Sequence, residues 1–457
     1  MKKFILFLIL TQCNFLFSQT VLATFPLELK KSKEYKQIVN AENTATHDVF
    51  VFASDKETLT ILKYNSALFL TNQYSLARPE ITYKVLAGYS FNDEGNPTLY
   101  WSTPDFTKIL AVQYDLNTKA TVAVFNYDLP FFNQTIITQF QENNTFYILS
   151  QKHFEQKLIL YIFKNGKKEE KTLDFGSFNF KNSKNQAITF SKILEVCPIE
   201  KIETNQFNPL FKGTQKTKLY VLKNKLLLTF DHNDNETQAF EIDLATFEIL
   251  EKNISKTTTQ NYVSLSNSYY HESKIYQLKV NEEELLFEIK DYKSGEIIKS
   301  IPVSKTETIP FKSSPLWLQL AGDRPKELKS TAKFLDQLVY LEVGLTVYKT
   351  PKSILITLGG TGDIQFTDVG QDNTNLAFRN VPTTIYFEST FDKKLEHTKQ
   401  EQEPLAVDFI SRFREEHPEV TTPSIIRYKS YYIMGYYDTY AKQYTMRKFI
   451  DGFESSF

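Results

Sequence analysis

Lys274-Ile-Tyr-Gln-Leu-Lys-Val280, Asn281-Glu-Glu-Glu284, Leu285-Leu-Phe-Glu-Ile-Lys290, Asp291-Tyr-Lys-Ser-Gly295 and the run from Ile297 to Val303 read as strand, turn, strand, turn, strand. The first run alternates in character, as a half-buried strand should. The polar tetrapeptide suits a hairpin, and Gly295 is available where φ must be positive.

This grammar returns at intervals of about 50 residues, a period that fits one supersecondary unit per repeat. Leu226 to Phe230, the polar turn Asp231 to Glu236 and Gln238 to Leu244 repeat it upstream. Phe146 to Leu149 with Leu158 to Phe163 is another copy, as are Leu99 to Trp101 with Ile109 to Tyr114, and Val49 to Phe52 with Leu59 to Tyr64. Weaker copies span Val343 to Leu358 and Thr384 to Leu395, and the last runs from Tyr431 to Tyr437 and back from Tyr444 to Ile450. A propeller blade needs four strands, so the connecting segments must supply the others. The pattern predicts an all-β chain folded as one β-propeller over residues 19–457. Seven blades are expected, with six or eight as alternatives. A strand from Val21 to Leu29 is expected to close the C-terminal blade.

The pieces Phe240-Glu-Ile-Asp-Leu-Ala-Thr246, Phe287-Glu-Ile-Lys-Asp-Tyr-Lys-Ser-Gly295 and Val112-Gln-Tyr-Asp-Leu-Asn-Thr118 resemble the strand–Asp–turn edges of secreted bacterial propellers of the PQQ-repeat and YVTN-like kind. That resemblance implies a propeller fold. It does not extend to a quinone cofactor, because PQQ repeats place a tryptophan near each turn and this chain has 2 Trp in all. No cofactor is expected.

Composition agrees with strands: 38 Phe and 26 Tyr favour pleated, half-buried surfaces. With only 14 Gly, the turns must rely on Asn, Asp, Lys and Ser. A net charge of -1 gives no basic field for nucleic acid. The mixed run Lys167-Lys-Glu-Glu-Lys171 reads as a sheet edge guarded by charge.

Met1-Lys-Lys-Phe-Ile-Leu-Phe-Leu-Ile-Leu10, closed by Phe17-Ser18-Gln19, is too short and too polar to span a bilayer. It reads as an export signal over residues 1–18 and resembles bacterial signal peptides. Leu10-Thr-Gln-Cys13 offers a rival, a lipid anchor on Cys13, although Gln12 stands where a lipobox wants a small residue. The expected location is secreted, periplasmic or associated with the outer membrane. Cys197, in an apolar context, is expected to be a buried and inert thiol.

Two segments break the β grammar. Residues 325–336 and 404–416 carry helical apolar spacing, so one or two short helical insertions are expected. The glycine cluster Leu358-Gly-Gly-Thr-Gly-Asp363 lacks the helix of a phosphate loop and reads as a loop or bulge.

No catalytic, cofactor-binding or metal site can be assigned. Asp231, Asn233 and Asn235 have the alternation that begins a calcium loop, but Glu236 stands where glycine is needed, so a plain hairpin is the competing reading. The 6 His show no metal-ligand spacing, and no Gly-x-Ser-x-Gly elbow occurs. Tyr431, Tyr432, Tyr436 and Tyr437 fit either a sugar-stacking platform or ordinary strand faces. These readings favour an exported, non-enzymatic protein that binds an envelope protein or an extracellular glycan on a propeller face. The alternative is a glycan-active hydrolase or lyase with a site in the central channel.

Overall fold

The computed structural model describes residues 19–30, 34–258, 264–369, 376–400 and 402–452. Residues 1–18, where an export signal is expected, and Cys13 within them therefore lie outside the described residues. The described residues divide into two compact units, one drawn from 19–151, 159–171 and 403–452, the other from 152–158 and 172–402.

Strands come in sequential antiparallel sheets. Gln37–Asn43, Asp48–Ser54, Thr58–Tyr64 and Leu70–Ala77 pair in chain order. Val85–Phe91, Pro97–Ser102, Lys108–Asp115 and Ala120–Asp128 do the same, followed by Gln134–Glu142, Thr145–Lys152, Lys157–Lys164 and Lys167–Asp174. The closing sheet is built from Val420–Tyr428, Tyr431–Asp438 and Gln443–Phe449, and its outer strand is Gln19–Pro26. Val21 pairs with Arg447 and Phe25 with Tyr444, so the N-terminal strand closes the last sheet as its sequence suggested.

In the other unit, Thr217–Leu222, Lys225–Phe230, Glu236–Asp243 and Ile249–Ser255 form a meander that takes Ile199–Ile202 as a parallel fifth strand. Leu265–His271, Lys274–Val280, Glu284–Asp291 and Ile297–Ser304 follow. The last sheet is less regular, with order Lys326–Leu328, Leu316–Leu320, Leu376–Phe391, Ile354–Val369, Glu342–Lys349. Consecutive four-stranded meanders, one of them completed by the opposite end of the chain, are the β-propeller construction.

Scarce glycine explains the turns. Aspartate carboxylates accept backbone N–H groups two and three residues on: Asp243 from Ala245 at 2.7 Å and Thr246 at 2.8 Å, Asp438 from Tyr440 at 2.9 Å and Ala441 at 2.8 Å. Some left-handed positions fall on asparagine (Asn143, Asn144, Asn165, Asn185 and Asn224), which tolerates them best after glycine, and others on Lys119, Phe106, Phe154, Phe247 and Leu395 among further residues.

Four α-helices occur among the described residues, more than the one or two expected: Phe190–Val196, Leu210–Gly213, Thr331–Leu338 and Ala406–Glu416. The first of the expected pair starts later than its spacing suggested. Lys326–Leu328 pairs as a strand with Leu316–Leu320, and Ser330 caps the helix by accepting from Lys333 N at 3.3 Å. The second matches. Asp408 accepts from Leu405 N at 2.9 Å and Asp451 from Ala406 N at 2.9 Å, which satisfies two open N–H groups of the first turn.

The glycine cluster is strand, not loop: Gly359, Gly360 and Gly362 lie inside Ile354–Val369. A Cβ on Gly359 would stand 1.9 Å from the Ile385 carbonyl oxygen, so close backbone approach, not a turn, demands glycine there.

Candidate binding sites

The repeat marks one position in every regular sheet. The residue just after the outer strand returns its backbone N–H to the turn between the second and third strands. The bonds run from Leu27 to Lys442 O (3.1 Å), Arg78 to Glu57 O (2.7 Å), Leu129 to Thr107 O (2.8 Å), Phe175 to Gln156 O (2.8 Å), Lys256 to Asn235 O (2.7 Å) and Lys305 to Glu283 O (2.8 Å). Three of these six residues are cationic. What each cation meets differs.

Lys256 meets a saturated network. Its Nζ lies 2.9 Å from Asp231 Oδ1 and donates to the Asn233 carbonyl at 2.9 Å and to Ser266 Oγ at 3.1 Å. The Asp231 carboxylate also accepts from Thr237 Oγ1 (2.8 Å), Ser268 N (3.0 Å) and Ser268 Oγ (2.7 Å). Lys218 Nζ stands 3.6 Å away and donates to Asn267 Oδ1 at 2.5 Å. Lys218 and Asp231 are fully buried, and Lys256 nearly so. Burial alone would raise the Asp231 pKa, but Lys256 and Lys218 hold it well below the carboxylate range. Burial pushes Lys218 down to about 8, against the pull of Asp231.

This is where the calcium-like alternation leads. Asp231 faces ammonium and hydroxyl groups. Asn233 Oδ1 accepts from Asn235 N and Glu236 N, both at 3.0 Å, as a turn cap does. Asn235 is exposed. The three side chains do not converge on one point, and no group of three His, Cys, Asp or Glu among the described residues is arranged to hold a metal ion.

Arg78 meets something else. It is 8% exposed. Its Nη2 donates to the carbonyls of Tyr83 at 3.0 Å and Lys84 at 3.1 Å, while Nε and Nη1 have no hydrogen-bond partner among the described residues. The guanidinium lies over Trp101 at 4.8 Å and Tyr35 at 5.5 Å. The counterpart of Asp231 is Asp55, and its oxygens are committed to Lys30 N (2.9 Å), Glu57 N (2.8 Å), Thr58 N (2.8 Å) and Thr58 Oγ1 (3.0 Å). The Tyr114 hydroxyl sits beside Trp101 and near Tyr74, yet the Trp101 indole N–H and both hydroxyls complete no hydrogen bond of normal geometry. Sequence reading passed over Arg78. The available signal was its place directly after an outer strand, shared with Lys256 and Lys305.

A third feature is the outer strand Ala120–Asp128, Ala-Thr-Val-Ala-Val-Phe-Asn-Tyr-Asp, which carries no charge before its last residue. It ends its sheet, so one row of its backbone groups has no strand beside it. Phe125 is turned onto Gly166, where a Cβ would meet the ring at 2.6 Å, while Val124 and Val122, the latter the extra residue of a bulge against Gln113 and Tyr114, are 52% and 64% exposed. By contrast Lys167–Asp174, also an outer strand, is the charge-guarded edge its sequence suggested.

The tyrosine platform does not form: Tyr432, Tyr436 and Tyr437 are buried and only Tyr431 is half-exposed. Cys197 ends the helix Phe190–Val196 and is half-exposed, not buried, although partial burial raises its thiol pKa. His47 and His417 each contact a neighbouring glutamate, Glu42 and Glu419, at 2.7 Å. No helix among the described residues is long and apolar enough to cross a membrane.

No family model matches the chain, so its likeness to PQQ-repeat and YVTN-like propellers stays at the level of repeat pattern. No curated protein matches it either. Among solved structures it is similar to the Nup133 β-propeller domain of Vanderwaltozyma polyspora, at 12% identity and TM-score 0.34, covering 95% of this chain and 97% of that one. It is also similar to the Dos1 propeller, at 8% identity and TM-score 0.30, covering 92% of this chain and 80% of that one. A third is the Cps50 (Swd1) propeller domain of Myceliophteria thermophila, at 9% identity and TM-score 0.27, covering 93% and 98%.

Proposed function

We propose that this chain is an exported, non-enzymatic binding protein of the cell envelope or its surroundings, whose partner is a protein. The observation that supports it best is the strand Ala120–Asp128. An outer strand with a free backbone edge, no charge before its last residue and exposed Val122 and Val124 has the chemistry for adding an extended segment of another chain. Backbone hydrogen bonds would supply affinity, and the valine face would select apolar side chains at alternate positions. The interface is thus an edge, where the sequence suggested a face.

The test is capture of envelope proteins from the protein's own cells by tagged wild-type chain and by the double variant Val122→Lys, Val124→Lys. The reading requires a stoichiometric protein that the wild type retains and the variant loses. Equal retention, or recovery of carbohydrate alone, ends it. Intact mass of the exported chain decides the rest of the proposal: an N-terminus at Gln19 supports a cleaved signal over residues 1–18, and a lipid-sized increment on Cys13 supports the anchored alternative.

A further inference from the structure

The cationic position after the outer strand is neutralised by side chains wherever the chain supplies a free carboxylate. Lys256 has Asp231 and Lys305 has Glu283. Arg78 has no ion pair among the described residues: Asp55 is engaged by backbone N–H groups, and two guanidinium nitrogens remain open although the side chain is more than nine-tenths buried. A buried charge in this state is costly until an opposite charge reaches it.

The groups around it point to which charge. Nε and Nη1 of Arg78 donate only, as does the Trp101 indole. The Tyr114 and Tyr74 phenols are protonated at neutral pH, as any tyrosine is, and so can donate. These donors surround the guanidinium, the Trp101 indole lying against the Tyr114 hydroxyl, and the Asp55 carboxylate, whose charge is felt at Arg78, makes no ion pair with it and is taken up by backbone N–H groups. From this juxtaposition we propose that Arg78, Trp101, Tyr74 and Tyr114 form a binding site for the carboxylate of a small ligand. Tyr35, over which both Arg78 and Lys84 lie, flanks the guanidinium. The site takes over the role that Asp231 plays for Lys256, with the carboxylate supplied from outside the chain. It is distinct from the Ala120–Asp128 edge, and either can fail without the other.

The chain has 2 Trp, so a Trp317→Phe background isolates Trp101 as the reporter. The full chain is titrated with acetate and with glucuronate while Trp101 emission is followed, with glucose and chloride as controls. The site requires a saturable change with at least one carboxylate and none with either control. Response to glucuronate but not acetate would assign a sugar acid, and response to both a carboxylate of any origin. In Arg78→Met the response is expected to vanish, and Tyr114→Phe, which keeps the ring, is expected to weaken binding about tenfold. No saturable change with either carboxylate through the millimolar range, an equal response to chloride, or unaltered affinity in both Tyr114→Phe and Tyr74→Phe overturns the site.

Discussion

Lys256 and Arg78 occupy the same place in two sheets and answer the same electrostatic problem differently. Both follow an outer strand, and both return a backbone N–H to the preceding turn. The turn before Lys256 presents Asp231 inward, where Lys218, Thr237 and Ser268 complete its shell. The turn before Arg78 spends Asp55 on its own backbone. A repeat can therefore conserve a geometry while one copy closes it into a structural network and another leaves it open. Burial alone does not distinguish the two. The count of partners around the charge does.

The largest expected effect comes from removing the shared carboxylate. Asp231→Ala leaves Lys218 and Lys256 buried without their counter-ion and should destabilise the fold by about 3–5 kcal/mol in urea unfolding. A loss below about 1 kcal/mol, the range of an exposed pair, would erase the distinction.

The pH profile sharpens it. In the fold Lys218 gives up its proton near pH 8, whereas a free lysine holds it to about 10.4. Between those values the unfolded chain binds more protons, so unfolding free energy should rise with pH across that window. Lys218→Met should flatten the rise. Asp231 acts at the other end. Its folded pKa is depressed, so its contribution is complete above the ordinary aspartate value of about 3.9 and is lost as pH falls below it. Stability curves from pH 3 to 10 on both proteins check both limbs.

The smallest effect belongs to the edge. Val124→Lys on Ala120–Asp128 should change stability by no more than about 0.5 kcal/mol, because the side chain is exposed, while partner capture is lost. A larger drop in stability would mean that the strand is packed, not open.

Much of the fold was readable because the second and third strands of the regular sheets are strand-like runs rich in apolar residues and joined by polar turns, as in Lys274–Val280 and Glu284–Asp291. First and outer strands were harder. Ile249–Ser255 and Lys167–Asp174 are exposed along much of their length, so little hydrophobic period marks them. The helix Ala406–Glu416 was legible from its apolar face, whereas Lys326–Leu328 was not, because its strand character comes only from pairing with Leu316–Leu320. The glycines of Ile354–Val369 misled for the same reason: what demands them is a neighbouring backbone distant in sequence. The Arg78 corner was invisible because Tyr35, Trp101 and Tyr114 reach it from separate strands and loops.

The most direct measurement is urea unfolding of Lys256→Met and Arg78→Met side by side. If one cation is built into the core and the other is held open, Lys256→Met costs about 3 kcal/mol or more, and Arg78→Met costs about 1 kcal/mol or stabilises. Equal losses, or a larger loss at Arg78, would show that both are structural and that the open corner is not a site.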